Sequence, residues 1–299
     1  MSYEVPKISI VIPTFNAADT LEKSIQSLLM QDYPNLELIL MDGGSQDQTI
    51  AIAKQYADHF SHIISEKDKG QANALNKGFR LATGEIWGWL CADDELLPGA
   101  LQHSIELFHA HPSTTCVTGG CRRIFWDGSV IETTPDPLLV ERLGYRNGVE
   151  QPSTLWKATL HKSAGELDES LNYAFDWEWW NRLKAKGAVI TLTDKLMSNY
   201  YFSETNKTST GGTAIAQDMY RVIKRYGPRR GYLADAYMFL YRAFDLHGCY
   251  DHPPTCSTTR QRAWRFSLEV LIKLFEADPI ICYNWNFASK QARGLCWFK

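Results

Sequence analysis

In the stretch LCADDELLPG, residues 90–99, Asp93 and Asp94 stand side by side directly after the apolar run EIWGWL. Adjacent carboxylates repel each other. A chain tolerates such a pair when a divalent cation offsets the charge, and Mg2+ and Mn2+ are hard ions that prefer oxygen ligands. Such an ion can also carry a diphosphate. The plain alternative is a solvated turn in which Asp94 or Glu95 caps the next helix. Three other apolar runs also end in polar residues: Pro13-Thr14-Phe15-Asn16, Asp42-Gly43-Gly44-Ser45 and Glu66-Lys67-Asp68-Lys69-Gly70. A single acidic strand end reads as a helix cap, as Asp47 does. Four polar ends, three of them acidic, read as one site.

The elements that must position these residues alternate. ISIVI (8–12), LELILM (36–41), HIIS (62–65) and EIWGWL (85–90) read as strands. Helical spacing covers 18–31, with Asp19 as N-cap, then 47–57, 70–82 and 98–111. Alternating strands and helices imply a parallel α/β sheet with helices on both faces, and ligands then sit beyond the carboxyl ends of the strands. After residue 114 the pattern is mixed. TTCVTGGCRRIFW followed by DG predicts a hairpin, FDWEWWNRLKAKGA a helix, and VITLT and MSNYYF two strands. SETNKTSTGGT (203–213) is the linker candidate, and the remainder reads as helical.

The 299 residues, 44% hydrophobic and 22% charged with a net charge of -3, fit a globular protein with no basic field for nucleic acid. No G-x-G-x-x-G follows the first strand, which speaks against a nicotinamide dehydrogenase, and no P-loop motif is present. Seven scattered cysteines without C-x-x-C read as free thiols, not as disulfides or a zinc site. No secretory leader opens the sequence and no apolar run reaches the roughly 18 to 20 residues of a membrane span. The expected location is cytoplasmic.

The segments ISIVIPTFNAADTLEKSIQSLLMQDYPNLELILMDGGSQDQT, DKGQANALNKGFRLATGE and LCADDELLPGAL, in this order and spacing, resemble family 2 glycosyltransferases of the GT-A fold over roughly residues 7–210. The resemblance implies a Rossmann-like, mostly parallel sheet. It implies an inverting enzyme that moves a sugar from a nucleotide diphosphate, with UDP the expected carrier, to a hydroxyl of a saccharide or lipid-linked acceptor. By position, Thr14, Asp42, Asp68 and Asp93 match nucleotide-binding residues and Asp94 a ligand to Mn2+ or Mg2+. Asp176, in YAFDWEWWNRL, matches the catalytic base, and Gln151, in QPST, lines the acceptor side. A carboxylate at a helix start is favoured by the helix dipole, so the bland alternative for Asp176 is a cap. Glu178 is the rival base, but two residues along a helix turn it about 200° away. Of Trp177, Trp179 and Trp180 at most one faces sugar, with Trp180 the acceptor-side candidate.

The sequence departs from the family pattern at Gly43, where a second acid is common, at Cys91, where an acid or Asn is common, and at YYFSET, where a His is common. The expected division is a catalytic domain over 1–210 and a helical extension over 211–299. In that extension Arg260, Arg262, Arg265 and Lys273 alternate with Trp264, Phe266, Leu268, Leu271 and Ile272. Two readings stay open, a helix packed on the catalytic domain and a basic amphipathic helix on an anionic membrane. Two rival functions do too. A nucleotidyltransferase normally needs a Gly-rich basic loop after the first strand, which PTFNAADT is not. A non-catalytic sugar-nucleotide-binding protein would differ in lacking turnover.

Overall fold

A computed structural model of the chain describes residues 5–144, 146–203, 206–207, 212–227 and 231–243, with a few single positions between 259 and 274. It divides into two compact units: Met1–Pro137, Val149–Ser170 and Arg182–Phe202 form the first, and Leu138–Gly148, Leu171–Asn181 and Ser203–Lys299 the second. The two units interleave along the chain.

The first unit is built on one sheet. Its strands are β1 (Ile8–Thr14), β2 (Leu36–Asp42), β3 (Phe60–Ser65), β4 (Ile86–Trp89), β5 (Glu95–Leu96), β6 (Cys116–Ile124), β7 (Val130–Thr133), β8 (Thr154–Lys157) and β9 (Ile190–Tyr201). They run in the order β3-β2-β1-β4-β8-β6-β9-β5, with β7 beside β6. β3, β2, β1 and β4 are parallel, while β8 is antiparallel to both β4 and β6. β1 and β4 are buried throughout, as parallel strands covered on both faces should be. The alternating parallel half and the β6–β7 hairpin follow the sequence expectation.

Helices α1 (Leu21–Leu29), α2 (Thr49–Gln55), α3 (Gln71–Leu81) and α4 (Ala100–Ala110) cover the sheet. Ile8, Ile10 and Ile12 share a core cluster with Leu21, Ile25 and Leu28 of α1 and Leu101 and Ile105 of α4. The alternate residue Val11 faces α3, where a Cβ on Gly78 would lie 2.4 Å from Val11 Cγ1. Glycine thus sets the depth at which α3 seats on β1.

Two details differ from expectation. VITLT and MSNYYF form the single strand β9, because the chain runs straight through the exposed pair Asp194-Lys195 and its pairing with β6 shifts register near Gly120. α1 begins at Leu21 behind Thr20, and Asp19 is exposed and does not cap it. Asp47 does serve α2, accepting the Thr49 N–H at 3.0 Å from one position ahead of the cap.

Among the described residues five further helices follow: α5 (Pro137–Glu141), α6 (Ala158–Ala164), α7 (Phe175–Ala185), α8 (Gly212–Tyr226) and α9 (Tyr232–Ala243). In the second unit the Leu143 carbonyl accepts Trp177 Nε1 at 2.6 Å and Asn181 Nδ2 at 3.1 Å, which fixes the 138–148 segment on α7. Among the described residues no helix is long and apolar enough to cross a membrane. Of the basic and apolar residues proposed for a membrane-facing helix, only Phe266 is described, and it is exposed; the others, Arg260, Arg262, Arg265 and Lys273 among them, lie outside the described residues, as does most of the 203–213 linker.

Candidate active site

The parallel strands deliver their polar ends to one edge. Thr14 pairs in register with Asp42, and Asp42 with Ser65. Asp42 is buried, and its carboxylate accepts the Gly44 N–H at 3.1 Å, the Ser45 N–H at 3.0 Å and the Ser65 hydroxyl at 2.6 Å, as well as the Ser45 hydroxyl. The Thr14 hydroxyl reaches it at 3.5 Å. This acid shapes the loop after β2. Asn16, whose φ of 47° lies in the left-handed region that Asn tolerates, ties in the loop after β1 by accepting the Gln46 N–H at 2.9 Å.

Asp68 is half-buried and accepts the Gly70 N–H at 2.8 Å through Oδ1. Its Oδ2 fills the space beside Gly43: a Cβ on Gly43 would lie 2.7 Å from it and 3.3 Å from Phe15 Cδ2. The second acid absent from position 43 therefore has a carboxylate from position 68 in its place. Phe15, missed by the sequence reading, is 63% exposed at this spot and offers a flat apolar face. An exposed aromatic directly after a strand end was the available signal.

After β4 the chain turns at Cys91–Asp94, the Asp94 N–H donating to the Cys91 carbonyl at 3.0 Å. Cys91 Sγ and carboxylate oxygens of Asp93 and Asp94 all lie within 4.8 Å of one another. Asp94 is 1% exposed, and neither carboxylate oxygen makes a hydrogen bond of good geometry among the described residues; the Tyr201 backbone N–H is the one group that favours its charged form. Burial and then the charge of Asp93 hold its carboxyl well above the usual range, and burial raises Asp93 as well. The capping alternative does not occur: α4 starts behind Gly99, and Glu95 sits in β5 and accepts Asn199 Nδ2 and the Tyr201 hydroxyl at 3.1 and 3.0 Å.

Glu37 gives the contrast. It is as buried, at 4% exposure, yet it accepts Lys7 Nζ at 2.7 Å, the Ser9 hydroxyl at 2.5 Å and both the N–H and hydroxyl of Thr83 at 2.8 and 2.6 Å. Burial alone would raise its pKa, but these bonds bring it down to about 2. A buried carboxylate with so few hydrogen bonds is costly, and Asp94, Asp93 and Cys91 bring together three atoms that could ligate a metal ion. Gln151 supports that turn, its Nε2 donating to the Trp89 carbonyl at 2.8 Å and its Oε1 lying 3.6 Å from Cys91 Sγ.

In the second unit Asp176 opens α7, half-buried. It accepts the Trp177 N–H at 2.7 Å and Asn147 Nδ2 at 3.2 Å. Burial pushes its pKa up to about 6, with these bonds and the Lys207 charge opposing. It is ionised at neutral pH yet basic enough to take a proton. The Lys207 ammonium lies 5.5 and 5.4 Å over the rings of Tyr173 and Phe175. Glu178 is engaged elsewhere, accepting the Tyr226 hydroxyl at 2.7 Å and pairing with Arg225 at 3.3 Å. Trp177, Trp179 and Trp180 are all at most 2% exposed, so the sugar-stacking expectation for Trp180 gives way to a packing role.

Residues 9–160 match the profile of Glycosyl transferase family 2. An uncharacterized glycosyltransferase of Rickettsia typhi is 26% identical over 227 residues, covering 71% of this chain and 68% of that one. The chain spans 58% of a similar Rickettsia prowazekii protein and 31% of one from Rickettsia conorii. Among solved structures, Staphylococcus aureus TarS 1–349 in complex with UDP-GlcNAc superposes with a TM-score of 0.61 at 18% identity, covering 98% of this chain and 93% of that one. The mannosyltransferase PcManGT of Pyrobaculum calidifontis, in complex with GDP-Man and Mn2+, superposes at 0.62 and 18%, covering 97% and 86%. These likenesses show the fold, the curled α/β sheet of GT-A type.

Proposed function

Because the chain belongs to glycosyl transferase family 2, we propose that it is an inverting glycosyltransferase that takes a sugar from a nucleoside diphosphate to a hydroxyl of a saccharide or lipid-linked acceptor. The observation that carries the reading is Asp94, a buried carboxylate whose oxygens make no well-formed hydrogen bond, just past the end of a parallel strand. Asp94 and Asp93 would hold a divalent cation, which supplies Lewis-acid stabilisation of charge on the leaving diphosphate. Thr14 and Asp68 border the nucleotide, Asp42 holds the loop between them, and Phe15 offers its ring to the base. UDP is the proposed carrier, as in the TarS complex, with a guanosine carrier as the alternative. Gln151, proposed for the acceptor side, keeps the metal loop in place.

Asp176 acts as general base. Its carboxylate accepts the proton of the acceptor hydroxyl as that oxygen bonds to the anomeric carbon and the bond to the diphosphate breaks. One displacement inverts the carbon and needs no nucleophile from the protein. The sequence alternative of a nucleotidyltransferase loses its ground with the family match. The test is thermal denaturation with UDP or GDP, with and without Mn2+, followed by sugar-nucleotide turnover. Ligands that bind the native state raise its apparent stability. UDP is expected to stabilise only with Mn2+, and no shift with either nucleotide would overturn the reading.

A further inference from the structure

Cys91 sits where a hard oxygen ligand would be expected at the metal turn. Its backbone is held by one contact and its sulfur by two. The Ser24 hydroxyl donates to the Cys91 carbonyl at 3.2 Å, Gln71 Nε2 donates to Sγ at 3.1 Å, and the Cys91 thiol donates to Gln151 Oε1 at 3.6 Å. The sulfur is thereby fixed in the group of ligand atoms that spans 4.8 Å with Asp93 and Asp94. The independent sign of a ligand here is Asp94 itself, 1% exposed with neither oxygen in a well-formed hydrogen bond.

We propose that Cys91 is a thiolate ligand of the cation held by Asp93 and Asp94, and that it gives the site a preference for thiophilic divalent ions, Zn2+ and Co2+, over Mn2+ and Mg2+. Thiolates are soft donors that favour zinc and its neighbours, whereas carboxylates suit the hard ions. On binding, the sulfur lone pair forms the bond to the metal, the thiol gives up its hydrogen bond to Gln151 Oε1, and its proton leaves to solvent, with no change of oxidation state. Gln71 keeps donating to the sulfur, and such an outer partner orients a ligand and tunes it. The inference rests on the proposed metal role of Asp94, and the test separates the two.

The probe is Co2+ added to the metal-free full-length chain. Thiolate ligation gives a near-ultraviolet sulfur-to-cobalt charge-transfer band that oxygen ligands do not. The wild type is expected to show it, and Zn2+ to displace the cobalt. Cys91→Ser should lose the band and about tenfold or more of the preference for Zn2+ over Mn2+. Cys91→Asp, which replaces the sulfur by oxygen, should bind Mn2+ without the band, and it carries the test if the serine variant folds poorly. Cys116 and Cys121, the other described cysteines, are buried in β6, so loss of the band in either variant assigns it to position 91. If Asp94→Asn loses cobalt while Cys91→Ser keeps both band and preference, the thiolate assignment fails alone. Cobalt binding that survives Asp94→Asn overturns both.

Discussion

Asp218, on α8, accepts the backbone N–H groups of Asn172 and Tyr173 at 2.7 and 2.8 Å and so holds the turn that leads into Asp176. The clamp is buried. Asp218→Ala should cost about 2 kcal/mol, as hydrogen bonds to a charged group do. It should also lower kcat about tenfold, because small misplacement of a reacting group is expensive. Asp218→Asn retains an acceptor oxygen and should recover part of both. Steady-state kinetics checks this: an effect on donor KM with kcat unchanged would deny the clamp its positioning role.

Asp176→Asn should lower kcat at least about 10²-fold with donor affinity unchanged. In the wild type, kcat should rise with pH through an apparent value near 6, the value to which burial pushes Asp176. The stability effect has the opposite sign. A raised carboxyl pKa means the native state holds its proton more tightly than the unfolded chain, so stability falls as pH rises from 3.8 towards 6. The Asn variant escapes that loss, and its Tm at pH 7 should exceed that of the wild type.

Asp94→Asn should abolish the Mn2+-dependent stabilisation by UDP while leaving the metal-free protein at least as stable, since a buried acid that makes no well-formed hydrogen bond is replaced by a neutral amide. Denaturation with and without EDTA reads both effects.

Gly43→Asp, which restores the acid common in the family, should weaken nucleotide binding. The new Cβ would meet Asp68 Oδ2 at 2.7 Å, and two carboxylates would crowd one spot. A thermal-shift titration with UDP decides; tighter binding would show that Asp68 does not fill that place.

Glu37→Ala should cost about 2 kcal/mol by removing the acceptor of the buried Ser9 hydroxyl and the charged partner of Lys7, with kcat unaffected. The Glu37 pKa is lowered to about 2, so its contribution is complete above 4.5 and is lost as pH falls towards 2. The variant's deficit in chemical denaturation should therefore shrink in acid.

The strand-end chemistry was legible because each parallel strand is an apolar run that stops at its polar residue, so the break between Trp89 and Asp93 is visible in one dimension. Pairings across the fold were not. Nothing near Asn172 announces Asp218, 46 residues away. Nor does FDWEWW tell which indoles are open, since burial depends on what packs around the helix, and all three proved closed. Asp194-Lys195 carries turn-like polarity, yet β6 pairs with Leu192 before it and Leu196 after it, so the strand continues through the bulge. Gly43 and Asp68 looked like unrelated departures until the space between them was seen to be shared.

Strand β2 carries a buried acid near each end, Glu37 at its start and Asp42 at its finish, about 16 Å apart by strand rise. Glu37 is tied to Lys7, Ser9 and Thr83, none of which touches the candidate site. For protein engineering this means that robustness and turnover can be selected separately. Substitutions that strengthen strand beginnings can raise heat tolerance without the usual loss of activity, whereas the same search at strand ends would meet the trade-off between the two at once.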